Sequence, residues 1–495
     1  MFQFPIPEIQ FPAVVPLLIV ALTGLLALVI EILSPRRDNT LMMVVSVAGL
    51  LCAGATIVFT ASDPAYDTVA GMITHDVVGG SLQLVIVLST ALVVLFSDRY
   101  LRQKRVPFSE FYPLVLWSAT GAMIMVSTTN LLMIFLGLEI LSIALYVMAC
   151  LSRSEEKSEE SAMKYFLLGS FASGFLLYGI AFIYGGTGGL QLEQIPVAWS
   201  QNHAQAHLLI SCGMCLMLVG LSFKSAFVPF HQWTPDVYQG APTNVTAFMA
   251  TVSKVGALGA LWRVLDNAGI LSHLFVPVLG AIAILTMLVG NVAALAQGDV
   301  KRVLAYSSIA HAGYVLVALI AHGKMGTGLG NATLCYYLLS YCLMTVGSFA
   351  IIATFAKGGR ESTSYDDLRG LWGRSKPAAI CLVVFMLSLI GLPVFAGFFG
   401  KLFVLKDALQ SGLAPLAIVL AVSSIISVAY YLRVAWTALT PDESTEARTS
   451  PFAGTIAFTA VLCAVGVIAT GLFYTPLMQT LNLTGAKAMG TVAQK

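Results

Sequence analysis

Three lysines, a glutamate and two histidines of this chain stand in or beside long apolar runs, where ionisable side chains are rare. Lys224 ends the run Gly-Leu-Ser-Phe-Lys, and Lys254 follows Thr-Val-Ser in the next apolar segment. Between them Pro229, Pro235 and Pro242 interrupt what would otherwise be helix, with His231 beside the first break. Glu139 lies in Phe-Leu-Gly-Leu-Glu-Ile-Leu-Ser, and His311 lies in Ala-Tyr-Ser-Ser-Ile-Ala-His-Ala-Gly-Tyr. Lys401 follows Gly-Leu-Pro-Val-Phe-Ala-Gly-Phe-Phe-Gly, a second proline-broken segment. In hydrocarbon a charge is costly and a broken helix exposes backbone groups. Both are tolerated where they are buried in protein or line a wet cavity. The chemistry open to such a set is proton transfer.

Glu139 and Lys224 form the natural acid–base pair. As a static bridge it would staple two helices. As a switch, Glu139 would hold the lysine charged, and separation would favour proton release, because burial disfavours an unpaired ammonium. Lys254 could take the proton onward, or simply satisfy carbonyls freed by a broken helix. His231 and His311 carry the same choice between a bonded interior histidine and a relay.

The elements that must position these groups are membrane helices. The chain has 495 residues, of which 58% are hydrophobic and only 10% charged, against about 25% charged in a soluble domain. Apolar runs reach the roughly 20 residues that cross a bilayer many times over. We read fourteen spans, near 11–33, 40–60, 77–97, 110–128, 130–151, 161–184, 207–231, 243–266, 273–296, 302–322, 330–356, 378–406, 414–439 and 453–475. The seventh and twelfth are expected to be broken. The chain is thus all-α and polytopic. A net charge of +2 gives no reason to expect nucleic acid. Cys212 and Cys215 form a C-x-x-C inside a span and are expected to serve as small packing residues. Walker A and His-Glu-x-x-His motifs are absent, and no metal site is expected.

Lys and Arg crowd alternate loops, with Arg36 and Arg37, then Arg99, Arg102, Lys104 and Arg105, and later Arg360, Arg369, Arg374, Lys376 and Arg448. The opposite loops hold only Lys324, Lys487 and Lys495. The crowded side is expected to be cytoplasmic and both termini to face outward. Arg263 and Lys406, near span ends, are expected to snorkel to the interface. Broken helices recurring in two halves point to a repeat-built transporter. We expect an N-terminal three-helix segment (1–106), two inverted five-helix repeats (107–268 and 269–440), and a C-terminal helix and tail (441–495).

The run Gln297-Gly-Asp-Val-Lys-Arg-Val-Leu-Ala-Tyr-Ser-Ser-Ile-Ala-His-Ala-Gly313 resembles the hallmark of the antiporter-like subunits of respiratory complex I and of multisubunit cation/proton antiporters. Glu139, the Lys-x-x-x-x-Pro-x-His-x-Trp-x-Pro-Asp run from Lys224, Ser253-Lys254 and the segment ending at Lys401 follow in the family's order. Within that family, Trp233-Thr-Pro-Asp-Val-Tyr-Gln-Gly-Ala-Pro-Thr243 is most similar to the N-type subunits of bacterial NADH–quinone oxidoreductase. Asn244 departs from the proline expected after Thr243. The resemblance implies proton translocation, with Glu139 and Lys224 as coupling pair, Lys254 and His311 as central axis, and Lys401 as terminal lysine. His231 is a secondary candidate. It implies no cofactor on this chain, with NADH, FMN, iron–sulfur clusters and quinone on other subunits. The implied partners are other membrane subunits, chiefly subunits K and M, in the bacterial inner membrane. Two alternatives remain: a subunit of a multisubunit sodium/proton antiporter, and an inert membrane scaffold held by structural ion pairs.

Overall fold

The structure is a computed structural model that describes residues 9–33, 39–104, 110–152, 155–201, 203–325, 329–357, 360–441 and 452–481. The helices in chain order are α1 (Phe11–Leu33), α2 (Asn39–Thr60), α3 (Val77–Lys104), α4 (Phe111–Val126), α5 (Leu131–Ala149), α6 (Glu156–Thr187), α7 (Gln194–Ser200), α8 (Ala204–Ser225), α9 (Trp233–Gly240) and α10 (Thr243–Ala250). They continue as α11 (Val252–Asn267), α12 (Ser272–Leu295), α13 (Val300–Met325), α14 (Leu329–Ile352), α15 (Tyr365–Leu368), α16 (Leu371–Arg374), α17 (Lys376–Ile390), α18 (Ala396–Gln410), α19 (Ala414–Leu439) and α20 (Gly454–Leu472). Two short antiparallel hairpins pair β1 (Tyr66–Thr68) with β2 (Ile73–His75), and β3 (Ala356–Lys357) with β4 (Arg360–Glu361).

Helices occupy all fourteen predicted stretches. Among the described residues, twelve are long and apolar enough to cross a membrane by length and composition, and α4 and α17 are shorter apolar helices. The seventh stretch breaks as expected: α8 stops at Ser225, and Ala226 takes a left-handed φ of 63°. The twelfth also breaks, between Ile390 and Ala396, with Gly391 at φ 91°. The eighth breaks too, which was not expected. Thr251 separates α10 from α11, with no proline or glycine there. Its hydroxyl bonds the carbonyl of Ala247, four residues back, at 2.7 Å.

The ends of the helices follow from their sequences. Asn130 caps α5, its side chain accepting from the amides of Leu132 and Met133 at 3.0 and 3.2 Å. This satisfies two of the orphan donors every helix start leaves. Helix α6 opens on Glu156 and Glu159, which suit the positive end of the helix dipole, and closes on Gly188 at φ 75°.

The helices sort into an inner group and an outer shell. The apolar windows of α10–α11, α13 and α14 are 100%, 94% and 94% buried, whereas α1, α2, α6, α19 and α20 present apolar side chains outward. Leu51, Phe59, Phe171 and Ile425 are among the exposed ones. Helices α6 and α8 meet at Gly179 and Gly213, where an added Cβ at either position would come within 2.7 Å of the other's carbonyl oxygen. Without a hydrophobic force between helices in lipid, such close approach supplies the packing.

Two expectations are corrected. Arg263 does not snorkel: it is buried, pairs with Asp76, and donates to the Val126 carbonyl through Nε and Nη2 at 3.0 and 2.7 Å. Asp76 gives the guanidinium a counter-charge, so it has no need of the interface. Cys212 and Cys215 do not pack inward: both are free and exposed on α8, because the buried stripe of that helix runs through Gly213, Met214 and Met217. Lys406 is exposed, as expected. Several residues that set the loop-charge pattern, Arg36, Arg37, Arg105, Arg448, Lys487 and Lys495, lie outside the described residues.

Candidate proton-transfer site

The break after α8 delivers Lys224 to the interior. Helix α8 ends just past the lysine, and the carbonyl of Phe223 accepts a hydrogen bond from the indole of Trp233 at 2.9 Å. That carbonyl also accepts from the Ala226 amide at 3.1 Å, so the indole bond ties α9 to the end of α8 across the break. The indole stacks on Tyr165 at 4.7 Å between ring centroids. The ammonium of Lys224, 3% exposed, donates to the Ser142 hydroxyl at 2.7 Å and to the Tyr165 hydroxyl at 2.8 Å.

Glu139 does not close the expected ion pair. It stands one turn before Ser142 on α5, half-buried, and its Oε1 is shielded from solvent with no hydrogen-bond partner among the described residues. The inward face of α5 presents Ser142 to the lysine, and neutral hydroxyls satisfy the ammonium instead of the carboxylate. The two groups are neighbours, held in a separated arrangement.

The unexpected break at Thr251 positions Lys254. Helix α11 restarts at Val252, and the buried Lys254 ammonium reaches the backbone carbonyl of Ser308 on α13 at 2.6 Å. One turn on, His311 lies between two phenols: its Nδ1 is 2.7 Å from the Tyr337 hydroxyl and its Nε2 is 3.2 Å from that of Tyr431. Ser307 bonds the Tyr431 hydroxyl, and the Tyr341 hydroxyl donates to Ser308 Oγ at 2.8 Å. Each of these side chains is buried.

Lys401, also buried, uses the second break. Its ammonium donates to the carbonyls of Leu389 and Ile390 at 2.8 and 2.9 Å, the last turn of α17 before Gly391 interrupts the chain. It also lies 5.4 Å from the ring centroid of Tyr314. That phenol receives a bond from Asn291, which in turn accepts from Tyr430 at 2.9 Å.

Of the candidates, Lys224, Lys254, His311 and Lys401 are each buried among hydroxyls or backbone carbonyls, and Glu139 sits one turn from Ser142, the partner of Lys224. His231 stands apart. It is half-buried in the break, its Nδ1 has no partner, and among the described residues it bonds none of the other candidates. The hydroxyls of Ser142, Tyr165, Ser308, Tyr337, Tyr341 and Tyr431 were not anticipated. Their signal was present: Tyr337 and Tyr341 are spaced four apart in an apolar run, a spacing that puts both on one helix face.

A second polar cluster lies at the opposite end of α13 from its last turn. Glu361, placed by the β3–β4 hairpin, pairs with Lys104 at 2.9 Å and Lys301 at 3.6 Å. It also accepts from the hydroxyls of Tyr100 and Thr243. Burial alone would raise its pKa, but the two ammonium groups and two hydroxyls push it down to about 2. Lys104 further bonds Glu155, and Lys301 donates to the Ala241 carbonyl. Beside it Asp236 binds Lys164 and Arg302 at 2.8 and 2.7 Å. Against the opposing effect of burial, these two cations hold the Asp236 carboxyl below its usual range.

Residues 128–427 match the family model described as NADH:quinone oxidoreductase/Mrp antiporter, TM. The chain is 39% identical over 428 residues to NADH-quinone oxidoreductase subunit N of Trichlorobacter lovleyi, covering 86% of this chain and 87% of that one. A chain from the structure of respiratory complex I from Thermus thermophilus with bound aureothin superposes with a TM-score of 0.79 at 34% identity, over 94% of this chain and 99% of that one. A chain of the Mrp complex from Dietzia superposes with a TM-score of 0.82 at 22% identity, over 97% and 98%, a likeness of fold alone.

Proposed function

Because the chain belongs to the family of antiporter-like membrane subunits shared by NADH:quinone oxidoreductase and Mrp antiporters, we propose that it is a proton-translocating membrane subunit of an NADH:quinone oxidoreductase. The observation that carries the reading is the row of buried groups across the broken helices. Lys224 bonds Ser142 and Tyr165, Lys254 bonds the carbonyl of Ser308, His311 bonds Tyr337 and Tyr431, and Lys401 bonds the freed end of α17. Hydroxyls can pass a proton by accepting one and donating another, which carbonyls and apolar groups cannot.

In this proposal Glu139 governs Lys224. Swung toward the ammonium, the carboxylate holds the proton. In the separated arrangement only neutral hydroxyls remain, and the proton is free to move toward Lys254, His311 and Lys401. Moving one charge against a membrane potential costs about 2.3 kcal/mol per 100 mV. Making or losing one buried charge pair is worth a similar amount or more.

The remaining parts of the reading are proposals of the same kind. NADH, FMN, iron–sulfur clusters and quinone belong to other subunits, and this chain contributes proton transfer without a redox group. Residues 107–268 and 269–440 act as inverted repeats, each contributing a lysine beside a broken helix. The chain sits in the bacterial inner membrane with both termini outward, packed against subunits K and M through its exposed apolar faces. The test is purification of the tagged chain from its own membranes. Recovery of active NADH dehydrogenase supports the reading. Recovery of an intact antiporter assembly without NADH dehydrogenase would overturn it.

A further inference from the structure

The outer end of α11, α13, α14 and α18 carries a cluster of titratable groups that the proton path above does not use. Asp407 on α18 is only 8% exposed, and among the described residues its Oδ2 has no hydrogen-bond partner. The Thr333 hydroxyl of α14 faces the same carboxyl. His322 on α13 is equally enclosed, with Nε2 at 2.7 Å from Asp266 Oδ1 and Nδ1 buried without a partner. Asp266 ends the series at the surface, its side chain 44% exposed. A buried carboxyl with an unbonded oxygen is costly, yet among the described residues no cation contacts this one. Lys406 and His322 act on it only through space, and Lys324 is exposed at the rim.

The cluster lies on the same helices as the axis. His322 is eleven residues beyond His311, three turns along α13 on nearly the same face at 3.6 residues per turn. On α14, Tyr341, Tyr337 and Thr333 are spaced four apart. The first bonds Ser308, the second bonds His311, and the third faces Asp407. Asp407 shares the inward side of α18 with Lys401. The site is built closely. The Ser411 hydroxyl bonds the carbonyl of Asp407 at 2.7 Å, and an added Cβ at Gly330 would come within 2.8 Å of the His322 Cβ.

We propose that Asp407, His322 and Asp266 form an outward proton port, leading from the Tyr337–Thr333 face of α14 to the surface. Asp407 receives the proton at its free Oδ2. The proton passes through water to His322 Nδ1, and the proton on Nε2 leaves for Asp266, which releases it to bulk water; the imidazole is left neutral with its proton on Nδ1, and a ring flip restores the Nε2–H tautomer before the next transfer. The inference rests on the proposed proton-translocating function and on the outward assignment of this end.

The test uses the assembled enzyme in its native membranes, with Asp407→Asn, Asp407→Glu and His322→Gln. Assembly, NADH–quinone turnover and the solvent deuterium isotope effect on turnover are the readouts. The port predicts that Asp407→Asn and His322→Gln assemble, turn over several-fold more slowly, and show a larger isotope effect. Asp407→Glu should restore both turnover and isotope effect. Wild-type turnover and isotope effect in Asp407→Asn would overturn the port, as would failure of both neutral variants to assemble, which would assign these groups to holding helices together. Lys401→Ala in the same membranes separates the two ideas. If it is inactive while Asp407→Asn is normal, the port alone fails; if both are normal, the proton-transfer reading fails with it.

Discussion

Lys254 and His311 are joined through one turn of α13. The ammonium binds the carbonyl of Ser308, and the imidazole lies three residues further on, between the phenols of Tyr337 and Tyr431. The lysine depends on the break at Thr251, which starts α11 close enough to α13 for that 2.6 Å bond. Helix α11 thus places its buried cation directly against the helix that carries His311.

That junction predicts that Tyr337→Phe slows NADH-driven turnover several-fold in an assembled complex. Removing the phenol leaves His311 Nδ1 without its partner, a penalty of about 1–3 kcal/mol for a buried polar atom. Turnover in membranes, normalised to assembled complex, measures it.

Glu139→Gln is expected to leave stability within about 0.5 kcal/mol of wild type, because the carboxylate makes no ion pair in this arrangement. Pumping is expected to fall sharply. Thermal unfolding and proton uptake by vesicles, run together, separate this from a static staple, which would lose stability first.

Glu361 should act through stability. Its folded pKa of about 2 lies below the roughly 4.3 of an unfolded glutamate. The stabilisation is therefore complete above about pH 4.3 and is lost as pH falls toward 2. Glu361→Gln should destabilise by about 3–5 kcal/mol by leaving Lys301 buried without its carboxylate, Lys104 keeping Glu155, and it should flatten the acid limb of a pH–stability profile in detergent.

Gly213→Leu should weaken the seat of α8 against α6, since even a Cβ meets the Gly179 carbonyl at 2.7 Å. Overpacking of this kind costs about 1–3 kcal/mol or more. The expected result is less assembled complex at elevated temperature, measured by native gel after heating.

The helices and four of the buried cationic candidates were legible in the sequence because apolar runs of bilayer length and ionisable groups inside them are both composition signals. The breaks after Ser225 and Ile390 were legible through Pro229, Pro393 and the neighbouring glycines. The break at Thr251 was not, because no proline or glycine marks it. The separation of Glu139 from Lys224 was also hidden: which face of α5 meets α8 depends on three-dimensional packing, and that packing presents Ser142. Glu361 was not singled out because its cations come from α3 and α13, far away in the chain. Arg263 misled for the same reason, since Asp76 lies 187 residues earlier.

The most direct measurement is NADH-driven proton uptake by inside-out vesicles carrying Lys224→Ala, with turnover and assembly recorded in the same preparation. The account predicts that pumping and coupled turnover are lost while the complex remains intact. Unchanged pumping would contradict it, because the lysine that α8 delivers to Ser142 and Tyr165 would then be a structural cation and no part of a proton path.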